Sequence, residues 1–303
     1  MHGRLLKADG LLLLTALIWG AAFVAQRLGM EHVGPVTFNG VRFALGALAL
    51  QPLIWRMQRT RTREGRTSDL HQGIDSARLI RCGLLAGCVL FAGAALQQVG
   101  IVYTTAGKAG FITGLYVVMV PLFGLVLGQR AGAGTWGGAV AAAVGLYLLS
   151  VNEDFSVAYG DVLELIGAVF WAGHVLLIGR LSPGMDATDA VKLASAQFAV
   201  CSILSLGVAV ATEPMALAGI AKAAVPILYG GLMSVGIAYT LQVVAQRDAN
   251  PAHAAIILSL EAVFAAVAGY FLLGEVLSMR ALIGCGLMLG GMLLSQLRPE
   301  ARP

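Results

Sequence analysis

ADGLLLLTALIWGAAF at residues 8–23 and YGDVLELIGAVFWAGH at residues 159–174 decide how the chain is read. Sliding the sequence against itself by 152 residues sets Asp9 on Asp161 and Trp19 on Trp171. Two apolar stretches with the same landmarks therefore open two halves of one chain. At a slightly different offset, LGQR at 127–130 falls over LGEV at 273–276.

Working outward, apolar runs bounded by charge, glycine or proline lie at 10–29, 35–55, 81–102, 108–127 and 134–150, then at 160–180, 188–211, 223–245, 253–273 and 279–297. Each comes near the about 20 residues an α-helix needs to cross a bilayer. Backbone amides in hydrocarbon must pair within their own segment. The alternative, a closed barrel, would show short alternating strands instead of unbroken runs. The expected fold is an all-α integral membrane protein with ten transmembrane helices. Five spans per half is an odd number, so the halves, 1–155 and 156–303, cross in opposite senses. Inverted five-helix repeats of this kind are characteristic of transporters.

Composition agrees. The 303 residues are 58% hydrophobic and 12% charged, with 39 glycines, against about 25% charged in soluble domains. Mean hydropathy is +0.82. Ten spans leave only short connections, which excludes a large extramembrane domain. The net charge of +4 does not imply nucleic acid, because Arg56, Arg59, Arg61, Arg63, Arg66, Arg78 and Arg81 crowd one polar loop. Counting Lys and Arg on alternate sides gives fifteen with the termini and four opposite, Arg42 lying within a span. Both termini are thus expected in the cytoplasm. Arg4 and Lys7 ahead of LLLLTALIW resemble a signal peptide, but the run reaches spanning length and is read as a retained first helix. Cys82, Cys88, Cys201 and Cys285 lie inside apolar runs and imply neither a disulfide framework nor a metal site.

WGAAF at 19–23, FNGVRF at 38–43, TTAGKAGFITGLYVVMVP at 104–121, LSLEAVFAAVAGYFLLGEVLS at 258–278 and GCGLMLGGMLL at 284–294 resemble the drug/metabolite transporter superfamily, in its EamA branch. The resemblance covers nearly the whole chain. It implies an exporter similar to the YddG-type amino-acid exporters, carrying aromatic and other neutral amino acids across a bacterial inner membrane. Relatives also carry sugars, nucleotides and drugs, so another small metabolite, or a channel-like facilitator, is the alternative. One departure is that Glu261 precedes Ala262, where the family commonly has proline; a proline-dependent bend is not expected there.

Arg42 is the strongest functional signal, since a guanidinium inside a span costs at least a few kcal/mol and faces a partner or water. With Asn39 one turn earlier it either contacts a substrate carboxylate or ties helix two to a carbonyl or to Glu261. Glu261 reads as the only acid deep in the second half's apolar runs, with His253 two turns before it at an interfacial position. It either binds an amino group or proton or pairs structurally. Trp19 and Trp171, with His174 a turn later, either line a pocket or pack. Gln97, Tyr116, Tyr239 and Gln242 are polar groups at membrane depth that need partners, and their recurrence in several helices points to a wet central cavity. Pro121 invites a kink in helix four. No HExxH, GxSxG or Walker A pattern occurs, so neither an enzyme nor an ATP-driven pump is expected. The expected partners are a small-molecule substrate and the lipid bilayer. No cofactor is expected, and one chain with an internal repeat suffices as a monomer.

Overall fold

Long apolar runs leave the backbone no hydrogen-bonding partner but itself, and every described run is helical. The computed structural model describes residues 2–63, 76–104, 106–129, 131–150, 158–273 and 278–296. The first half holds α1 (His2–Gly29), α2 (Pro35–Ala49), α3 (Gln51–Arg63), α4 (Ser76–Tyr103), α5 (Ala106–Gly114), α6 (Tyr116–Val126) and α7 (Ala133–Ser150). The second holds α8 (Tyr159–Leu181), α9 (Ala187–Thr212), α10 (Leu217–Lys222), α11 (Ala224–Leu228), a π-helix (Tyr229–Tyr239), α12 (Thr240–Ala245), α13 (Pro251–Leu258), α14 (Glu261–Leu273) and α15 (Met279–Gln296). Among the described residues there is no strand. Six helical segments there are long and apolar enough to cross a membrane: Gly3–Gly29, Ser76–Tyr103, Tyr159–Leu181, Ala187–Thr212, Ala224–Ala245 and Pro251–Ala268. Ile112–Val126, Ala133–Leu148 and Met279–Ser295 are shorter apolar helices. The 155/156 boundary, the LGEV match and Arg66, Arg130, Arg298 and Arg302 lie outside the described residues.

Four runs are not the uniform helices their hydropathy suggests. The run at 35–55 divides at Leu50, because Pro52 has no amide proton to offer the Leu48 carbonyl, and its second piece continues to Arg63. The run at 108–127 divides at Leu115, not at Pro121, which sits inside α6. The break follows Gly114, where a Cβ would lie 2.7 Å from Leu146, so the glycine serves the approach of α7 while weakening the helix. The run at 253–273 is interrupted at Ser259 and Leu260 although no proline follows Glu261. There the Ser259 hydroxyl donates to the Ile256 carbonyl at 2.8 Å, a local bond that competes with helix propagation. The run at 223–245 winds as a π-helix over Tyr229–Tyr239, a form usually confined to single turns and frequent at functional sites. α1 uses the carbonyls there: Thr15 donates to Ala238 O at 3.2 Å and Trp19 Nε1 to Ser234 O at 3.2 Å.

α4 packs on α8 and α9, α2 on α9, α1 on α14 and the π-helix, and α7 on α15. Small residues permit the closest of these approaches: a Cβ on Gly138 would lie 2.6 Å from the Gly291 carbonyl, and one on Gly145 2.5 Å from the Gly284 carbonyl. Leu12, Phe43, Leu90, Phe198, Val235 and Ile257 are buried in the central core. Leu14, Leu17, Leu48, Leu85, Val210, Val225 and Phe271 point outward, as a lipid-facing belt requires.

Candidate functional site

The interruptions of the two broken helices meet at the centre. Tyr116 is the first residue of α6 and Glu261 the first of α14, and the Tyr116 hydroxyl donates to Glu261 Oε1 at 3.2 Å. Around this contact is a cavity of about 490 Å³, counting its open mouth, lined by residues including Trp19, Gln26, Arg42, Gln97, Thr113, Tyr116, Trp171, Ser234, Tyr239, Gln242 and Glu261.

Three kinds of chemistry share the wall. Arg42 is 2% exposed. Its Nε donates to Asn39 Oδ1 at 2.9 Å, and Asn39 Nδ2 donates to the Ala94 carbonyl at 2.8 Å. The guanidinium lies 5.5 Å from the Phe38 ring centroid and 5.1 Å from that of Phe43, where aromatic faces favour a cation. It is held in place from α2 while the cavity touches it. The second kind is the carboxyl of Glu261 with its tyrosine donor. The third is aromatic: Tyr239 sits between Trp19, centroids 4.5 Å apart, and Trp171, 6.0 Å away and nearly parallel at 21°. Gln26 Oε1, Gln242 Oε1 and Trp171 Nε1 are buried on this wall with no hydrogen-bond partner among the described residues. Unpaired buried polar atoms are costly, and all three belong to residues that line the cavity.

Of the residues singled out from sequence, Trp19, Arg42, Gln97, Tyr116, Trp171, Tyr239, Gln242 and Glu261 come together. Asn39 and His174 do not reach the cavity wall. Asn39 supports Arg42 from behind. His174 is fully buried, its Nε2 2.9 Å from Gln197 Oε1 and its ring edge-on to Tyr239 at 6.3 Å. Arg42 is tied to Asn39 and two rings, not to Glu261. His253 is bridged to Asp9 at 2.9 Å and Ser295 at 2.9 Å, joining α13 to α1 and α15 at the chain-terminal end of the bundle. The reading of Glu261 as the second half's only deep acid is wrong: Glu164 on α8 is 0% exposed and accepts from the Thr113 hydroxyl at 3.0 Å. Gln26, Thr113 and Ser234 were also missed. A helical stripe carried the signal for the first, since Gln26 follows Trp19 by seven residues and Phe23 by three. Among the described residues no cluster of His, Cys, Asp or Glu has the makings of a metal site.

The EamA-like transporter family model matches residues 6–151 and again residues 158–297. The chain belongs to the EamA-like transporter family. It is 31% identical to an uncharacterized transporter of Archaeoglobus fulgidus, over 97% of this chain and 87% of that one. It is 26% identical to the uncharacterized inner membrane transporter YedA of Escherichia coli, over 91% and 86%, and 27% identical to the uncharacterized transporter YwfM of Bacillus subtilis, over 95% and 93%. A solved crystal structure shares the fold with a TM-score of 0.74 over 96% of each chain at 16% identity. Family membership and the apolar helices together make this EamA-like chain a multi-pass membrane protein of a transporter family.

Proposed function

We propose that this EamA-like protein is a secondary transporter that exports amino acids, aromatic and other neutral ones, across the inner membrane by alternating access. The observation that carries the reading is one cavity wall bearing the Arg42 guanidinium, the Glu261 carboxyl with Tyr116, and the Trp19–Tyr239–Trp171 aromatic cluster. These match in turn an α-carboxylate, an α-ammonium and an apolar or aromatic side chain. Arg42 holds the carboxylate, Glu261 and the glutamines Gln97 and Gln242 the ammonium, and the rings the side chain. Asn39 and His174 act behind Arg42 and Tyr239.

In this reading ten spans form two inverted repeats, 1–155 and 156–303, with both termini in the cytoplasm. Support comes from packing: α2 lies on α9 and α7 on α15, each helix against its counterpart in the other half, as a two-fold axis in the membrane plane requires. Broken helices at corresponding places in the two halves, meeting at a midplane site, belong to the same architecture. The inner-membrane location follows the Escherichia coli relative, and a single chain makes a complete pathway without a cofactor.

The test is uptake of a panel of labelled amino acids into liposomes holding the purified protein. Saturable uptake of at least one aromatic amino acid is expected. Transport of sugars, nucleotides or drugs with none of the amino acids would replace the cargo and keep the transporter, and uptake that never saturates would make the protein a channel.

A further inference from the structure

Glu164 has no role in the cavity reading above, yet among the described residues it is an acid with 0% exposure. Its Oε2 accepts from Thr113 and its Oε1 has no hydrogen-bond partner among the described residues. A charge in an apolar interior is expensive unless paired, and ionisable groups kept inside membrane helices mark ion and proton pathways. Packing does not demand this one. The same repeat that sets Asp9 on Asp161 sets Leu12 on Glu164, and Leu12 is 0% exposed in the core. The fold thus accepts a plain aliphatic side chain at the equivalent position. Room for the carboxyl is made by Gly100 of α4, where a Cβ would lie 2.9 Å from Glu164 Oε1.

We propose that the Glu164 carboxyl is a proton-binding site, reached from the cavity through Thr113, whose loading and unloading exchanges one proton for one substrate molecule. The proposal rests on the transporter reading. Thr113 belongs to α5, lines the cavity and donates to Glu164, so it stands between the cavity and the carboxyl. A hydronium ion in the cavity passes a proton to Thr113 Oγ1 as the threonine's own hydroxyl proton passes to Glu164 Oε2, and a neutral water is left behind. Each transfer makes one O–H bond and breaks another, and the net change is one proton moved onto the carboxylate. The groups around the site are Asp161 one turn earlier on α8, which accepts from Thr104 and from Ala158 N, Thr113 on α5, and Gly100 on α4. Tyr103 of α4 is turned to Tyr159, with centroids 5.5 Å apart. The side chain of Lys108 on α5 lies outside the described residues.

The experiment uses the full chain in two formats. In liposomes loaded inside-acid by one pH unit, with equal potassium on both sides and valinomycin holding the membrane potential at zero, the wild type should accumulate labelled tryptophan about tenfold, the yield of one proton per substrate at a factor of ten per unit. In Glu164→Gln, whose amide oxygen still accepts from Thr113, accumulation should fall to about onefold, and tryptophan counterflow, which needs no pH gradient, tells lost coupling from lost transport. In lipid nanodiscs without substrate, infrared spectra across a pH titration should contain a buried carboxylic-acid band that is missing from Glu164→Gln and from Glu164→Leu, the residue of the sister repeat. Undiminished accumulation in Glu164→Gln, wild-type transport indifferent to the gradient, or an infrared titration unchanged by either substitution each overturns the proposal. A wild type that moves no amino acid fails the cargo reading instead, and the infrared titration still decides the proton site.

Discussion

Replacing Arg42 by alanine removes a charge from the cavity wall, and the structure allows the consequence to be divided. Locally, Asn39 Oδ1 loses its donor at 2.9 Å, a cost of about 1–3 kcal/mol for an orphaned buried acceptor. The loss of contact with Phe38 and Phe43 adds to this, and removing a buried cation offsets it, so the helix bundle should survive. Toward a ligand nothing offsets the change. Truncating one partner of a buried, hydrogen-bonded charge pair costs about 2–5 kcal/mol, a weakening of substrate carboxylate binding by about 30-fold to several thousandfold. Arg42→Lys should fall between, since lysine keeps the charge without the planar fork. The assay is titration of tryptophan and of its decarboxylated analogue tryptamine into wild type and variant. Wild type should prefer tryptophan by the factor above, and Arg42→Ala should bind the two alike. A variant that retains the full preference would remove Arg42 from the site and with it the assignment of the carboxylate end.

Tyr116→Phe deletes the 3.2 Å bond to Glu261; discrimination between tryptophan and indole-3-propionate, which lacks the ammonium, should drop about tenfold, the worth of one hydrogen bond to a charged group. Gly145→Ala puts a Cβ 2.5 Å from the Gly284 carbonyl and should lower the detergent-solubilised melting temperature by the equivalent of about 1–3 kcal/mol. Gly286→Ala, inside α15 where a Cβ meets nothing within 4 Å, should raise that temperature by the equivalent of about 0.4–1 kcal/mol. Glu213 at the end of α9 accepts from the Val36 and Thr37 amides at 2.9 and 2.8 Å, capping α2 from another helix; Glu213→Gln should cost about 0.5–2 kcal/mol by the same melting assay.

The helical, membrane-embedded character was legible because unbroken apolar runs admit one backbone solution. The interruptions were harder to find. Proline drew attention to residue 121 and its absence to residue 262, whereas the breaks lie at Leu115 and at Ser259–Leu260, decided by a glycine packed on Leu146 and by a serine bonding back to its own helix. The π-helix follows YGGLMSVGIAY, whose small residues read equally well as an ordinary span. Eight of the ten site residues share the cavity because polar and aromatic groups on different helices had few other places to go. Glu164 stands only five residues into α8, yet helical spacing puts it on the stripe of Gly160, Gly167, Ala168 and Trp171, away from the exposed Val162 and Leu165. Asn39 and His174 were assigned to the cavity because sequence gives proximity along a helix but not which of two neighbours stands in front.

The most direct test of the central claim is counterflow: liposomes preloaded with unlabelled tryptophan are diluted into trace labelled tryptophan, with no other gradient imposed. A carrier whose single cavity faces one side at a time predicts transient, saturable accumulation of label above equilibrium, abolished by Arg42→Ala in protein that remains folded and inserted. Equilibration without overshoot, or overshoot untouched by Arg42→Ala, would contradict an alternating-access amino-acid site built on Arg42 and Glu261.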